Sequence, residues 1–240
     1  MNAIQTHALT RRFKDKTAVD ALELTVPEGE LFALLGVNGA GKTTTIKLLS
    51  GLLTPTDGDA EIFGVSIRSQ KIKHLLAVSP QETAVAPNLT VRENLELMAG
   101  IADASRKEAK ARAEAMLDEA RLREVAGKRA KTLSGGWQRR LSIAMALISE
   151  PKLLFLDEPT LGLDVLARRE LWQEIEALKS RITIVLTTHY MEEAERLADR
   201  VGIMANGKLR VCGTPAELLA LSGKTRFEDA FVALAGGAGA

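Results

Sequence analysis

Three groups of residues in this chain have the types and spacing to handle phosphate. The first is Gly36, Val37, Asn38, Gly39, Ala40, Gly41, Lys42 and Thr43, with Thr44 behind them. This is the spacing of a phosphate-binding loop, with an apolar run before it and a helical pattern after it. Its glycines let the backbone bend so that successive N–H groups point inward as an anion nest. The helix start that follows adds partial positive charge. Lys42 is the type of residue that reaches terminal phosphates, and the Thr43 hydroxyl suits Mg²⁺. The second group is Asp157 and Glu158, closing the apolar run Leu153–Leu156. At a strand's C-terminal end, where ligands gather in α/β sheets, Asp157 suits the Mg²⁺ shell. Glu158 suits the base that polarises an attacking water. Many strands end in a polar turn, so this pair gains meaning only from the loop's presence. The third group is Leu133, Ser134, Gly135 and Gly136, ahead of a helical stretch running to about Ile148. A hydroxyl and two glycines at a helix start make a second phosphate-facing terminus, although Ser134 could equally be a plain N-cap. Two such termini in one chain suggest sites that meet across a dimer.

The elements that must hold these residues are visible in the pattern. Leu31–Leu35 is a short buried strand, followed by a helix over Lys42–Ser50 that Gly51 stops. Leu153–Leu156 and Ile182–Thr187 are further buried strands, each followed by a helical pattern, at Val165–Ser180 and Tyr190–Ala198. Val201–Met204 is another strand, and Asn206 with Gly207 signals a hairpin. Apolar strands alternating with helices predict an α/β fold with a mainly parallel sheet. Leu22, Leu24 and Val26 alternate with polar residues, predicting one half-buried strand. Asp57 and Gly58 read as a turn joining two short strands. From about Val91 to Ile148 no strand signal occurs. Ser105–Arg121 is rich in Ala, Lys, Arg and Glu, with Glu108 four residues before Arg112 as a supporting pair. That stretch reads as a helical insertion. Gly236–Ala240 reads as a disordered tail.

Composition sets limits. The 240 residues carry 32 Lys+Arg against 31 Asp+Glu, a formal net charge of +1. That balance gives no reason to expect nucleic-acid binding driven by phosphate neutralisation. Cys212 is the single cysteine, so no intramolecular disulfide forms and a reducing compartment is expected. No run approaches the roughly 20 apolar residues a membrane span needs, and Met1–Arg12 lacks the apolar stretch of a secretion signal.

In this order the motifs resemble the ATP-binding cassette family, the ATPase subunits of ABC transporters, over roughly Ala3 to Leu221. The resemblance implies a phosphate-loop NTPase (RecA-like) core with an N-terminal antiparallel β part and a helical subdomain. It implies one ATPase domain over 1–225, with core at about 1–80 and 150–225, helical subdomain at about 81–149, and a tail at 226–240. Leu133–Gly136 looks like the signature motif, whose Ser134 and Gly136 would contact the γ-phosphate held by the opposite subunit. Gln81 matches the glutamine that senses Mg²⁺ and the attacking water. Asp164, after Leu163, matches a residue at the dimer seam. His189 matches the switch histidine at the γ-phosphate, and Phe13 falls where an aromatic stacks on adenine. Trp137 stands where the signature most often has glutamine, and Phe13 replaces the commoner tyrosine.

The implied cofactors are ATP and Mg²⁺. The implied partners are a membrane-spanning permease subunit and a second copy or a paralogue in an ATP-dependent head-to-tail dimer, at the cytoplasmic face of the cell membrane. The apolar stretch Ala84, Val85, Ala86, Pro87 and Leu89 is a candidate contact for that permease, with packing under the helical subdomain as the alternative. The wording around Gln81, Thr90–Asn94 and His189–Glu193 is similar to the exporter branch that includes drug-resistance and sodium-extrusion ATPases. Importer ATPases and soluble mechanochemical ATPases acting on DNA or the ribosome remain alternatives.

Overall fold

The computed structural model describes residues 1–14, 16–179 and 181–236. Two sheets and a helical subdomain build it. The first sheet is antiparallel. It contains β1 (Asn2–Phe13), β2 (Lys16–Leu22), β3 (Thr25–Pro27), β5 (Asp57–Ile62) and β6 (Val65–Ser66), with β2-β1-β5-β6 in line and β3 also on β1. The second has the order β11-β10-β4-β9-β8-β7. Its strands are β4 (Leu31–Leu35), β7 (Leu76–Ser79), β8 (Leu153–Asp157), β9 (Thr183–Thr188), β10 (Arg200–Ala205) and β11 (Lys208–Gly213). All neighbours there are parallel except the β10–β11 hairpin. Buried on both faces, β4, β8 and β9 read as unbroken apolar or Thr-rich runs, as parallel strands do.

Helices cover the second sheet. They are α1 (Lys42–Leu49), α5 (Val165–Leu178), α6 (Met191–Leu197), α7 (Pro215–Ser222) and α8 (Phe227–Gly236). One core forms around Leu154, Leu186, Trp172 and Ile175 on the α5/α6 side. Another lies between the two sheets, around Phe32, Leu34, Ile46 and Phe155. The subdomain is α2 (Val91–Ile101), α3 (Arg106–Glu119) and α4 (Gly135–Leu147), with its own core of Val91, Leu95, Leu117 and Leu141. Capping boxes start α2 (Thr90 with Glu93) and α3 (Ser105 with Glu108). The buried face of α3 is Ala109, Ala113, Met116 and Leu117, one stripe at helical spacing.

Four expectations need correction. Leu22, Leu24 and Val26 are all buried, but the chain breaks between β2 and β3 because the Leu24 N–H turns to the Thr6 hydroxyl at 2.7 Å. Asp57 and Gly58 are not a turn between two strands but the start of β5, bulged against β1. Gly58 has φ +70°, and a Cβ there would lie 2.2 Å from the Ala8 carbonyl oxygen, so only glycine fits. Among the described residues Glu108 forms no close ion pair with Arg112, whose charge favours its carboxylate only weakly; the carboxylate instead accepts the Ser105 N–H at 2.9 Å. That cap, the Ser105 hydroxyl first, holds its carboxyl below the usual range. Finally, most of the expected tail 226–240 is α8, which buries Phe227, Ala230 and Phe231 in the core. The expected disorder at 237–240 lies outside the described residues.

Candidate functional site

Strand order and register bring the chemistry together. β4 and β8 both flank β9, with Leu35 opposite Thr188 and Asp157 opposite Thr187. Three strands therefore end level, and the loops at Gly36, Glu158 and His189 leave from one edge. β7 ends level with β8 (Ser79 opposite Leu156), which puts Gln81 at the same edge. A cleft of about 530 Å³ opens there, lined by Asn38, Gly39, Gly41, Lys42, Thr43, Thr44, Gln81, Glu158 and His189, with Phe13 at its rim. Lys16, Ala18 and Leu161 complete the lining. The position fits the rule that ligands bind beyond the carboxyl ends of α/β strands.

The loop residues divide by role. Gly41 has φ +110°, and a Cβ would lie 2.3 Å from the Ala18 carbonyl oxygen, so the chain can enter α1 here only as glycine. Lys42 is buried. Its ammonium donates to the Gly36 carbonyl (2.7 Å) and the Val37 carbonyl (3.3 Å) and pairs with Glu158 Oε1 at 3.0 Å. Two predicted loop residues do not reach the cleft with free groups. The Ala40 side chain is in the core and its N–H donates to Val37 O at 3.1 Å. The Gly36 N–H donates to Thr188 O at 3.2 Å.

Glu158 is 5% exposed and has φ +49°, an uncommon conformation for a residue with a side chain. Its N–H is fixed to the Thr187 carbonyl and hydroxyl, both at 3.1 Å. The second carboxylate oxygen lies 2.7 Å from His189 Nδ1. One carboxylate thus joins the loop lysine to the histidine beyond β9. Asp157 Oδ1 accepts from Thr187 Oγ1 (2.6 Å) and Thr43 Oγ1 (3.1 Å). A carboxylate and a hydroxyl side by side form the small, hard oxygen set Mg²⁺ takes from protein when phosphates supply other ligands. Among the described residues no three His, Cys, Asp or Glu form an all-protein metal cage. Phe13 is 43% exposed rather than in the core, with the Arg11 guanidinium 4.5 Å from its ring centroid.

Ser134, Gly135, Gly136 and Asp164 line no part of this cleft. Ser134 has N-cap backbone geometry on α4, yet its side chain makes no capping bond and is exposed. Gly136 packs close to Ala167 of α5. Asp164 caps α5 through the Leu166 and Ala167 N–H groups, both at 2.9 Å. The signature-like segment and the start of α5 therefore form one separate surface. Trp137 packs against the subdomain core, with the Arg140 guanidinium 4.6 Å over its ring and Arg140 paired with Glu174 at 2.6 Å.

Sequence reading missed three supporting residues. Thr187 ties Asp157 to the Glu158 backbone. Arg139, 4% exposed, donates from α4 to the Pro80 carbonyl (2.6 Å) and the Gln81 carbonyl (2.5 Å). Asn94, fully buried, bonds Ala86 N–H (2.7 Å), Ala86 O (3.2 Å) and Thr90 O (2.9 Å). The stretch Ala84–Leu89 is split: Val85 packs against the subdomain core, while Ala84 and Pro87 are exposed.

A parallel-sheet core with this loop, carboxylate pair and helix start defines a phosphate-loop nucleoside triphosphatase. The chain belongs to the ABC transporter family, whose pattern matches residues 19–161, and it carries that family's ATP-binding ATPase domain. It is 43% identical over 249 residues to "ABC transporter A family member 9" of Arabidopsis thaliana, covering 96% of this chain and 26% of that protein. It is 40% identical over 219 residues to the "Daunorubicin/doxorubicin resistance ATP-binding protein DrrA" of Streptomyces peucetius, covering 90% of this chain and 66% of that one. The chain thus spans about a quarter of the plant relative's length. Among solved structures it is similar to an ATP-binding subunit of an ABC transporter, with 30% identity and TM-score 0.84 over 97% of this chain and 99% of the other. It is also similar to a dimeric ATP-binding cassette holding ADP and Pi in a post-hydrolysis state, with 26% identity and TM-score 0.79 over 88% and 98%. No described helix is long and apolar enough to cross a membrane.

Proposed function

We propose that this chain binds and hydrolyses Mg-ATP in a head-to-tail dimer and drives a membrane-spanning permease as an exporter of small molecules, working at the cytoplasmic face. The observation that carries the reading is the split of the motifs. Lys42, Thr43, Glu158 and His189 line one cleft, with Asp157 hydrogen-bonded to Thr43, while Ser134 and Gly136 line a separate groove against α5, the helix that Asp164 caps. A second copy, or a paralogue, brings the two surfaces together over nucleotide. The dimeric relative supports that arrangement, and the drug-resistance relative supports export.

In this reading the phosphates lie over the Gly39, Gly41, Lys42, Thr43 and Thr44 N–H groups and the base stacks on Phe13. Lys42 exchanges its carbonyl and carboxylate partners for phosphate oxygens, which releases Glu158 Oε1. Glu158 then accepts the proton of the water that attacks Pγ, as the bond to the bridging oxygen breaks. His189, already held by Glu158 Oε2, lies where the γ-phosphate would be sensed. Gln81 lines the same space from the segment after β7. Thr43 and Asp157 would hold Mg²⁺, which would supply neutralisation of charge on the phosphate oxygens. ATP binding shifts the open–closed equilibrium because only the closed state makes both sets of phosphate contacts.

The test is Glu158→Gln, which keeps the shape and removes the base. It is expected to bind Mg-ATP, to lose steady-state ATPase activity by two orders of magnitude or so, and to accumulate an ATP-bound dimer by light scattering. Full activity in this variant, or a monomer at saturating Mg-ATP with and without a paralogue, overturns the reading.

A further inference from the structure

Helix α6 carries a buried carboxyl that the scheme above does not use. Glu193 on α6 is 0% exposed and forms no ion pair among the described residues. Its Oε1 accepts from Trp172 Nε1 of α5 at 3.0 Å. Its Oε2 is buried without a hydrogen bond, and so is the hydroxyl oxygen of Thr160. Burial, the dominant cause, pushes this carboxyl above the usual carboxylate range, and the neighbouring Glu158 charge adds to that. The Thr188 and Thr160 hydroxyls come close enough, with Trp172, to draw the carboxyl's pKa down, but the Thr160 hydroxyl and Oε2 do not meet in hydrogen-bonding geometry. A leucine or methionine would fill this space without a desolvation cost, so a carboxyl here calls for a reason beyond packing. Unsatisfied buried polar pairs are rare and mark strain or function.

The connectivity supplies the reason. Glu193 stands four residues after His189, one turn up α6. Trp172 belongs to the helix that Asp164 caps, and Thr160 lies between Glu158 and Asp164. One carboxyl therefore contacts both chain segments leaving β8 and β9. Resting on the function proposed above, we propose that Glu193 is a positioning residue. It locks the segment after Glu158 to the segment after His189, so that nucleotide contact at His189 moves the Asp164 turn at the dimer surface. The Thr160 hydroxyl and Glu193 Oε2 complete their hydrogen bond when that turn shifts.

The experiment uses the full chain with Mg-ATP and compares wild type with Glu193→Ala, Glu193→Gln and Thr160→Val. Networks of this kind modulate coupling enough to change kcat by about 3- to 30-fold. Glu193→Ala and Thr160→Val are expected to lower kcat in that range with KM for Mg-ATP changed less than about twofold. Glu193→Gln, which keeps acceptor and donor in the same space, is expected to restore most of kcat. In a Trp137→Phe background, where Trp172 is the reporter, nucleotide is expected to change the emission, and Glu193→Ala to abolish that change. Wild-type kcat in Glu193→Ala or in Thr160→Val overturns the inference, as does a loss in Glu193→Ala that Gln does not rescue. If Glu193→Ala fails to fold, Thr160→Val, which removes only the hydroxyl, decides. A wild-type chain with neither hydrolysis nor nucleotide-driven dimerisation overturns the proposed function instead; normal wild-type hydrolysis with unaffected variants overturns this inference alone.

Discussion

Arg139→Met is expected to loosen the Gln81 loop and slow catalysis. Arg139 sits on α4, five residues beyond Ser134, and its guanidinium holds two successive carbonyls, of Pro80 and Gln81, at 2.6 and 2.5 Å. Hydrogen bonds from a charged donor contribute about 1.5–3 kcal/mol each. Against this stands the cost of burying the guanidinium, which lowers the Arg139 pKa even with Asp157 and Glu193 nearby to favour the charge. Methionine fills similar space with no donor, so both carbonyls are orphaned. A net loss of about 2–4 kcal/mol follows if the loop stays closed, and less if it opens to water. For a chain of this size that corresponds to a fall in melting temperature of about 4–16 °C, the upper part applying only if nothing relaxes. Relaxation has its own signature, faster amide hydrogen exchange over residues 81–86 with the α1 and β8 amides unchanged. ATPase activity should fall with the loop's order. Arg139→Lys retains the charge but lacks the planar fork that reaches two carbonyls, so it should rescue only part of the loss. A melting temperature within about 2 °C of wild type, together with unchanged exchange at 81–86, would refute the idea that α4 holds the Gln81 loop through this residue.

Other outcomes follow from single features. Base stacking on an aromatic contributes about 1–3 kcal/mol, so Phe13→Ala should raise the dissociation constant for Mg-ATP by about 5- to 150-fold while Phe13→Tyr stays near wild type in calorimetric titration. An affinity within twofold for Phe13→Ala removes the stacking role. Gly58→Ala places a Cβ 2.2 Å from the Ala8 oxygen at φ +70°, and should cost about 1–3 kcal/mol, seen as a lower denaturation midpoint with an unchanged slope. Burial raises the Cys212 thiol pKa and outweighs the Arg200 guanidinium, 3.1 Å from the sulfur. A raised pKa means less thiolate at any pH below it, so alkylation by iodoacetamide at pH 8 should run slower in the native chain than after denaturation. Equal rates would contradict that.

The make-up of the candidate site was legible where a residue's type and its sequence neighbours decide its place. Lys42, Thr43 and Asp157 follow from a loop after a buried strand, and the register of β4, β8 and β9 places them together. The structure adds what depends on partners distant in sequence. The partners of Arg139 are backbone carbonyls at positions 80 and 81, and carbonyls leave no mark in a sequence. Thr187 looks like any β-branched strand residue, yet it binds Asp157 and fixes Glu158. Gly58 misled because Asp-Gly is a turn signal, while a bulge in a strand pair uses the same backbone freedom. The helix α8 was hidden because its glycine-rich end suggested a tail, although Phe227 and Phe231, four apart, are the stripe it buries.

In the proposed function, the Lys42–Glu158–His189 chain has one carboxylate both hold the site and act in it as the base. Glu158 is buried, its backbone is held at φ +49°, and its oxygens are divided between an ammonium and an imidazole. Removing one partner of a buried ion pair leaves an uncompensated charge, at a cost of about 3–5 kcal/mol. Glu158 therefore cannot give up Lys42 unless something else settles the balance. A triphosphate does this from the lysine side, by offering phosphate oxygens to the ammonium. The base would then be released by substrate binding rather than standing free beforehand. That order keeps Glu158 fixed when no phosphate is there to attack, and it ties the backbone strain at Glu158 to the step in which the carboxylate is used.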